Sequence, residues 1–152
     1  MRILVAAVGR ARGGIEHALY EHYARRLSWP LRLKEIAQEG ALAPAEAKAR
    51  EGRALLAAVP SSARLTALDQ RGELLASEAF AARLAAWRDA GASELAFAIG
   101  GAHGLSEAVL AKAELVLSFG RLTWPHLLVR GLLAEQLYRA ETILAGHPYH
   151  RG

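Results

Sequence analysis

Three stretches of the sequence hold side chains or bare backbone that could do chemistry. One is the ending, "AETILAGHPYHRG", residues 140–152, in which His147, Pro148, Tyr149, His150 and Arg151 stand in a row. Chain ends usually trail off in small or charged residues. This one carries phenol, imidazole and guanidinium groups, which together can donate, accept, exchange a proton near neutral pH and grip anions. Metal binding fits poorly, because His147 and His150 have no cysteine or carboxylate at ligand spacing. The plain alternative is a loose end with surface histidines.

The second stretch is "AFAIGGAHGLS", where a buried strand over Leu95–Ile99 runs into Gly100, Gly101 and Gly104 and then into a helix capped by Ser106. Glycine there removes the Cβ that would collide with a ligand, and the carboxyl end of a strand is where open α/β sheets bind one. A tight turn with no further role is the competing reading. The spacing matches neither the dinucleotide fingerprint nor the phosphate loop.

The third is "LSFGRLTWPHLLVR", residues 117–130, in which Phe119, Gly120, Arg121, Leu122, Thr123 and Trp124 form a loop after a strand, and Pro125 or His126 opens the last helix. An aromatic ring beside free backbone groups suits a purine; a core tryptophan is the alternative. Arg130 and Arg139 follow on that helix. Arg139 lies four residues after Glu135, so an exposed ion pair is its ordinary reading.

The elements that must hold these stretches alternate apolar runs with amphipathic ones, which predicts an α/β class with a mostly parallel sheet and helices on both faces. Strands are expected at Arg2–Val8, Leu31–Ala37, Ala63–Leu68, Leu95–Ile99 and Leu115–Ser118. Helices are expected at about Ile15–Leu27, Ala45–Val59 behind Pro44, Ser77–Ala90 with Ser77 as cap, Ser106–Ala113, and His126–Ala145. Asp69 ends the third strand, with Gln70, Arg71 and Gly72 as a turn. The segment Ala41–Arg53 is rich enough in alanine and charge to be mobile, and His17 and His22 read as ordinary. The last helix carries the stripe Val129, Leu132, Leu133, Leu137, Ala140, Leu144, apolar enough to call for a second surface, which argues for a dimer.

The 152 residues suit one domain, 1–152, with an ordinary core. Without cysteine, disulfides and thiolate zinc sites are excluded and a reducing compartment, the cytoplasm, is expected. No apolar run approaches the roughly 20 residues of a membrane helix, and no charged-then-apolar leader opens the chain. Nineteen basic residues against 15 acidic ones, most of the former arginine, favour an anionic partner, nucleic acid above all.

Taken in register, "LTALD", "IGGAHGLS", "LSFGRLTWPH", "EQLYRA" and "HPYHR" resemble the RlmH family, the small SPOUT-class methyltransferases of bacteria, over essentially the whole chain. The resemblance implies a parallel α/β fold whose C-terminal part forms a trefoil knot, a rare exception to unknotted folding. It implies a homodimer that uses S-adenosylmethionine to methylate N3 of a pseudouridine in 23S ribosomal RNA. At matching positions Leu68, Gly100 and the run Phe119, Gly120, Arg121, Leu122, Thr123, Trp124 are expected to line the cofactor pocket. Between the glycines this chain has Ala102 and His103, where family members carry other polar or proline-containing pairs; that leaves a role for His103 open.

N3 of a uracil ring becomes nucleophilic only as its proton leaves, so a proton acceptor or an anion-stabilising group is needed. Tyr149, His150 and Arg151 are expected to close over a cofactor pocket, the partner subunit's, and Arg139 to contact RNA or the partner. The rival from another class is a non-catalytic nucleotide- or RNA-binding module, which would have no need of the tail.

Overall fold

The computed structural model describes residues 1–151. Five strands, β1 (Arg2–Val8), β2 (Leu31–Ile36), β3 (Arg64–Leu74), β4 (Glu94–Ile99) and β5 (Leu115–Ser118), form one sheet in the order β2-β1-β4-β3-β5. Every pairing is parallel, as expected. Five helices, α1 (Ile15–Ala24), α2 (Pro44–Ala58), α3 (Ser77–Asp89), α4 (Glu107–Lys112) and α5 (His126–Leu144), connect and cover it, and a short 3₁₀ turn, Pro148–His150, ends it. Strands covered on both faces lose the usual apolar-polar alternation; all six residues of β4 are buried.

Side-chain direction sorts the core into two layers. Ile3, Val5, Ala7, Leu95, Phe97, Ile99, Leu115 and Leu117 face one way, onto Phe80 and Leu84 of α3 and Leu133 and Leu137 of α5. Leu4, Ala6, Val8, Leu65, Ala67, Ala96 and Ala98 face the other way, onto Leu55 of α2 and Val109 of α4.

Several expectations change. The turn expected at Gln70–Gly72 is instead an irregularity inside a longer β3: Leu68 and Glu73 both stand opposite Leu117, so residues 69–72 are spare in the ladder. Gly72 makes this possible, since a Cβ there would overlap the Val116 carbonyl. Ser77 is the first residue of α3 and not its cap; the cap position is Ala76, and the Ser77 hydroxyl hydrogen-bonds Gln136 Oε1 at 2.8 Å. Ser106 does cap α4, accepting from the Val109 N–H. The stretch read as mobile, Ala41–Arg53, supplies most of α2 and buries Ala47, Glu51 and Gly52. α1 stops at Ala24, and Leu27 and Trp29 beyond its end pack against the core. The α5 stripe is largely covered by its own chain: Leu133, Leu137 and Ala140 are buried, whereas Leu144 is exposed.

Candidate functional site

A cleft of about 760 Å³ opens at the carboxyl edge of the sheet, where the segments following β3, β4 and β5 meet. Ligand sites in open α/β sheets fall at this edge. From β3 come Leu68 and the spare residues Asp69, Gln70 and Arg71; from β4, Ile99 and the loop Gly100–Leu105; from β5, Leu117 and most of the loop before α5. The two glycine-bearing loops that the sequence singles out therefore form walls of one cavity.

The glycine loop closes on itself. Gly104 donates its N–H to the Gly101 carbonyl at 3.1 Å, and a Cβ at Gly100 would lie 2.6 Å from the Gly104 carbonyl carbon. Real Cβ atoms do not approach backbone that closely, so residue 100 must be glycine for this loop to keep its shape. Across the cleft, Ser118 locks the other loop: its Oγ accepts from the Gly120 N–H at 3.1 Å and lies 3.1 Å from the Gln70 carbonyl and 3.0 Å from that of Gly120, either of which its proton can serve. The Trp124 indole donates to the Phe119 carbonyl at 3.4 Å, which holds the ring at the rim.

Of the residues expected to line a cofactor pocket, Leu68, Gly100, Phe119, Gly120, Leu122, Thr123 and Trp124 face the cleft. Arg121 is exposed and does not line it. The lining also includes Lys48, Asp69, Arg71, His103 and His126, which sequence reasoning did not assign. The Arg71 hydrogen bonds hold the Asp69 carboxyl below its ordinary range, with Oδ1 accepting from the Arg71 N–H at 2.8 Å and from Nε at 3.0 Å. His126 is pushed below the usual imidazole value, first by burial and then by the Arg130 charge, so its neutral form is favoured.

Arg130 is the largest charged group inside the protein, 2% exposed. Its Nη1 donates to Glu35 Oε2 at 2.9 Å, and its Nη2 donates to the carbonyls of Val8 at 3.1 Å and Gly9 at 2.8 Å. Burial raises the Glu35 carboxyl, but the Arg130 hydrogen bond, the Ala11 N–H and the Arg130 charge outweigh it and leave the group below its ordinary value. The signal was present in the sequence: Arg130 is in phase with Leu133, Leu137 and Ala140 on the buried face of α5.

The tail lies elsewhere. Tyr149 packs edge-on against Tyr138, ring centres 4.7 Å apart, and its hydroxyl contacts Glu135 Oε1 at 3.1 Å and the Tyr23 hydroxyl at 3.4 Å. Arg139 donates to the same Glu135 oxygen from Nη2 at 2.6 Å and from Nε at 3.0 Å, and sits 5.0 Å from the Tyr149 ring centre. Burial and contact with Tyr23 and Glu135 push the Tyr149 hydroxyl above its ordinary value, so it stays protonated. Arg139 and Tyr149 thus meet at one carboxylate, with His150 and Arg151 following, but none of the four lines the cleft of its own chain. Glu135 instead borders a second, smaller groove of about 430 Å³, which shares Phe119, Gly120 and Trp124 with the cleft.

At the level of fold these features define a parallel α/β architecture with its cleft at the carboxyl edge of the sheet. A solved chain from Haemophilus influenzae Rd KW20, "a probable methylase family protein", superposes with a TM-score of 0.58 over 97% of this chain and 69% of that one, at 13% identity. The family follows from sequence: the family described as "Predicted SPOUT methyltransferase" matches residues 1–150, and the chain belongs to it. Proteins named "Ribosomal RNA large subunit methyltransferase H" are 59% identical in Rhodospirillum centenum and 55% identical in Paramagnetospirillum magneticum, each over 99% of both chains.

Proposed function

We propose that this methyltransferase transfers the methyl group of S-adenosylmethionine to N3 of a pseudouridine in 23S ribosomal RNA, acting on assembled ribosomes in the cytoplasm as a homodimer with the family's trefoil threading. The observation that carries the reading is the single cleft formed by the Gly100 loop and the Phe119–Trp124 loop. Its volume of about 760 Å³ suits a nucleoside-sized ligand, given the roughly 300–1,000 Å³ of typical ligand pockets. Leu68, Leu117, Phe119 and Trp124 offer apolar surface for a purine, and the bare backbone at Gly100 and Gly120 permits close approach. When bound, the cofactor supplies an electrophilic methyl group on a sulfonium.

The chain's own groups have the remaining work. The cleft loops orient the donor and exclude water. The tail Tyr149, His150 and Arg151, reaching the partner subunit's cleft, receives the target base. Within that trio, a neutral histidine such as His150 can accept the N3 proton. Arg151 stabilises the resulting ring anion or grips a phosphate, and Arg139 contacts RNA or the partner once it exchanges Glu135 for that ligand. A dimer is supported by apolar side chains left bare on this side of the molecule, Leu74 at 62% exposure in the second groove and Leu122 at 71% in the cleft.

The test pairs calorimetric titration of S-adenosylmethionine with radiolabelled methyl transfer to naked RNA, free large subunits and assembled ribosomes. Full-length protein binds the cofactor and methylates assembled ribosomes best. Deleting residues 149–152 lowers transfer by about 10²-fold or more. Transfer surviving near the parental rate removes the tail from the mechanism. Absence of cofactor binding at millimolar concentration removes the reading itself, and binding with no transfer to any substrate identifies a non-catalytic module.

A further inference from the structure

The loop after β1, "GRARGG", residues 9–14, lends only its Gly9 carbonyl and Ala11 N–H to the corner described above, and its two arginines have no role there. It leaves the sheet at the same edge as the glycine loop, since β1 and β4 are parallel neighbours with Ala7 opposite Ile99. It also touches the cleft wall: a Cβ on Gly9 would stand 3.0 Å from Nε2 of His126, a lining residue. The backbone on each side of Arg10 is fixed. Gly9 donates its N–H to the Ile36 carbonyl at 2.8 Å and accepts from Arg130 Nη2 at 2.8 Å; Ala11 donates its N–H to Glu35 Oε2 at 2.7 Å, and Arg130 holds that same oxygen from the other side at 2.9 Å.

Arg10, between these anchors, and Arg12, one residue beyond them, extend into solvent. Among the described residues neither makes an ion pair or a side-chain hydrogen bond, whereas Arg64, Arg71, Arg130 and Arg139 are each paired with a carboxylate. The nearest acid along the chain is Glu16, in the first turn of α1. Lys48 brings a further cation from α2 to the cleft itself. A loop whose backbone is already ordered, with two free guanidinium forks at the edge of a nucleoside-sized cleft, is suited to bind phosphate with little further loss of backbone entropy.

We propose that Arg10 and Arg12 grip backbone phosphates of the RNA substrate beside the base that enters the cleft. This rests on the ribosomal RNA reading above. The binding of full-length protein to assembled ribosomes is measured across a range of KCl concentrations for the parent, R10A/R12A and R10K/R12K, with cofactor affinity by calorimetry and methyl transfer alongside. Each phosphate contact contributes about 0.7–0.9 to the slope of log affinity against log salt. R10A/R12A is expected to lower the slope by about 1.4–1.8 and raise KM for ribosomes, with kcat and cofactor affinity unchanged; R10K/R12K keeps the parental slope. An unchanged slope in R10A/R12A overturns the proposal. So does a loss of affinity at constant slope, which points to a protein contact. A parent that methylates no ribosomal RNA instead overturns the reading on which the proposal rests.

Discussion

Replacing Arg130 with methionine isolates the buried charge that ties α5 to the ends of β1 and β2. Methionine keeps the length and apolar stem of the side chain but none of its donors. Three hydrogen bonds go, at 2.9 Å to Glu35, 3.1 Å to the Val8 carbonyl and 2.8 Å to the Gly9 carbonyl. Bonds to charged groups contribute about 1.5–3 kcal/mol each, but they share one guanidinium and do not add. Breaking a buried ion pair costs about 3–5 kcal/mol when the remaining charge is stranded. Glu35 is not fully stranded: its side chain is 31% exposed and keeps the Ala11 N–H. The lower end, about 3 kcal/mol, is therefore expected, against a total stability of about 5–15 kcal/mol. For a chain of this length that lowers Tm by about 6–12 °C. Urea melts followed by circular dichroism supply the free energy. In R130M/E35L the deficit is expected to shrink relative to the sum of the single variants, with a coupling of at least about 1 kcal/mol. An R130M protein within about 1 kcal/mol of the parent refutes the assignment of Arg130 as the pin of this corner.

Two further outcomes follow from the cleft. Gly100→Ala places a methyl 2.6 Å from the Gly104 carbonyl carbon, so the loop must open; cofactor affinity by calorimetry is expected to fall at least tenfold while the α3–α5 core stays folded, and parental affinity would contradict the close approach. The depressed His126 value carries a pH signature: between pH 6.5, where an unfolded histidine protonates, and the lower folded value, the unfolded chain binds the extra proton and stability falls as pH falls. His126→Asn should flatten that part of the stability-pH curve relative to the parent, with Arg130 and Glu51, the charged groups that act on the ring, present in both proteins. Parallel curves would show that the ring is not held neutral.

Much of this was readable from local patterns because the deciding forces were local. The ends of β1 and β5 coincide with their apolar runs, Arg2–Val8 and Leu115–Ser118, and Ser106 caps α4 as its type and position suggest. The glycine and aromatic loops were legible as candidate walls, because glycine after a buried strand has few other uses. What was not legible depends on partners distant in sequence. Gln70, Arg71 and Gly72 read as a turn after a strand ending at Asp69, and only the backbone of β5 shows that residues 69–72 are spare residues of a continuing strand. Ser77 has the type of a cap, yet Gln136 on α5 takes its hydroxyl. Arg139 has the spacing of an ordinary ion pair with Glu135 and makes it, but the sequence could not place Tyr149 on the same oxygen.

The irregularity in β3 links the fold to the cleft more directly than any lining residue does. Leu68 closes the regular part of the β3–β5 ladder, and Glu73 resumes it opposite the same Leu117, so the chain between them must leave the sheet. It leaves on the side of the cleft, which puts Asp69, Gln70 and Arg71 into the wall. The return depends on Gly72, whose missing Cβ lets the chain pass within contact of Val116 and Leu117. The Ser118 hydroxyl, one residue beyond that crossing, then lies against the Gln70 carbonyl and accepts from Gly120, joining the β3 wall to the β5 loop. The position of the Phe119–Trp124 loop is thus set from behind by a backbone crossing at Gly72, which itself lies outside the lining. A register slip at Gly72 would open the cleft without altering one residue that lines it.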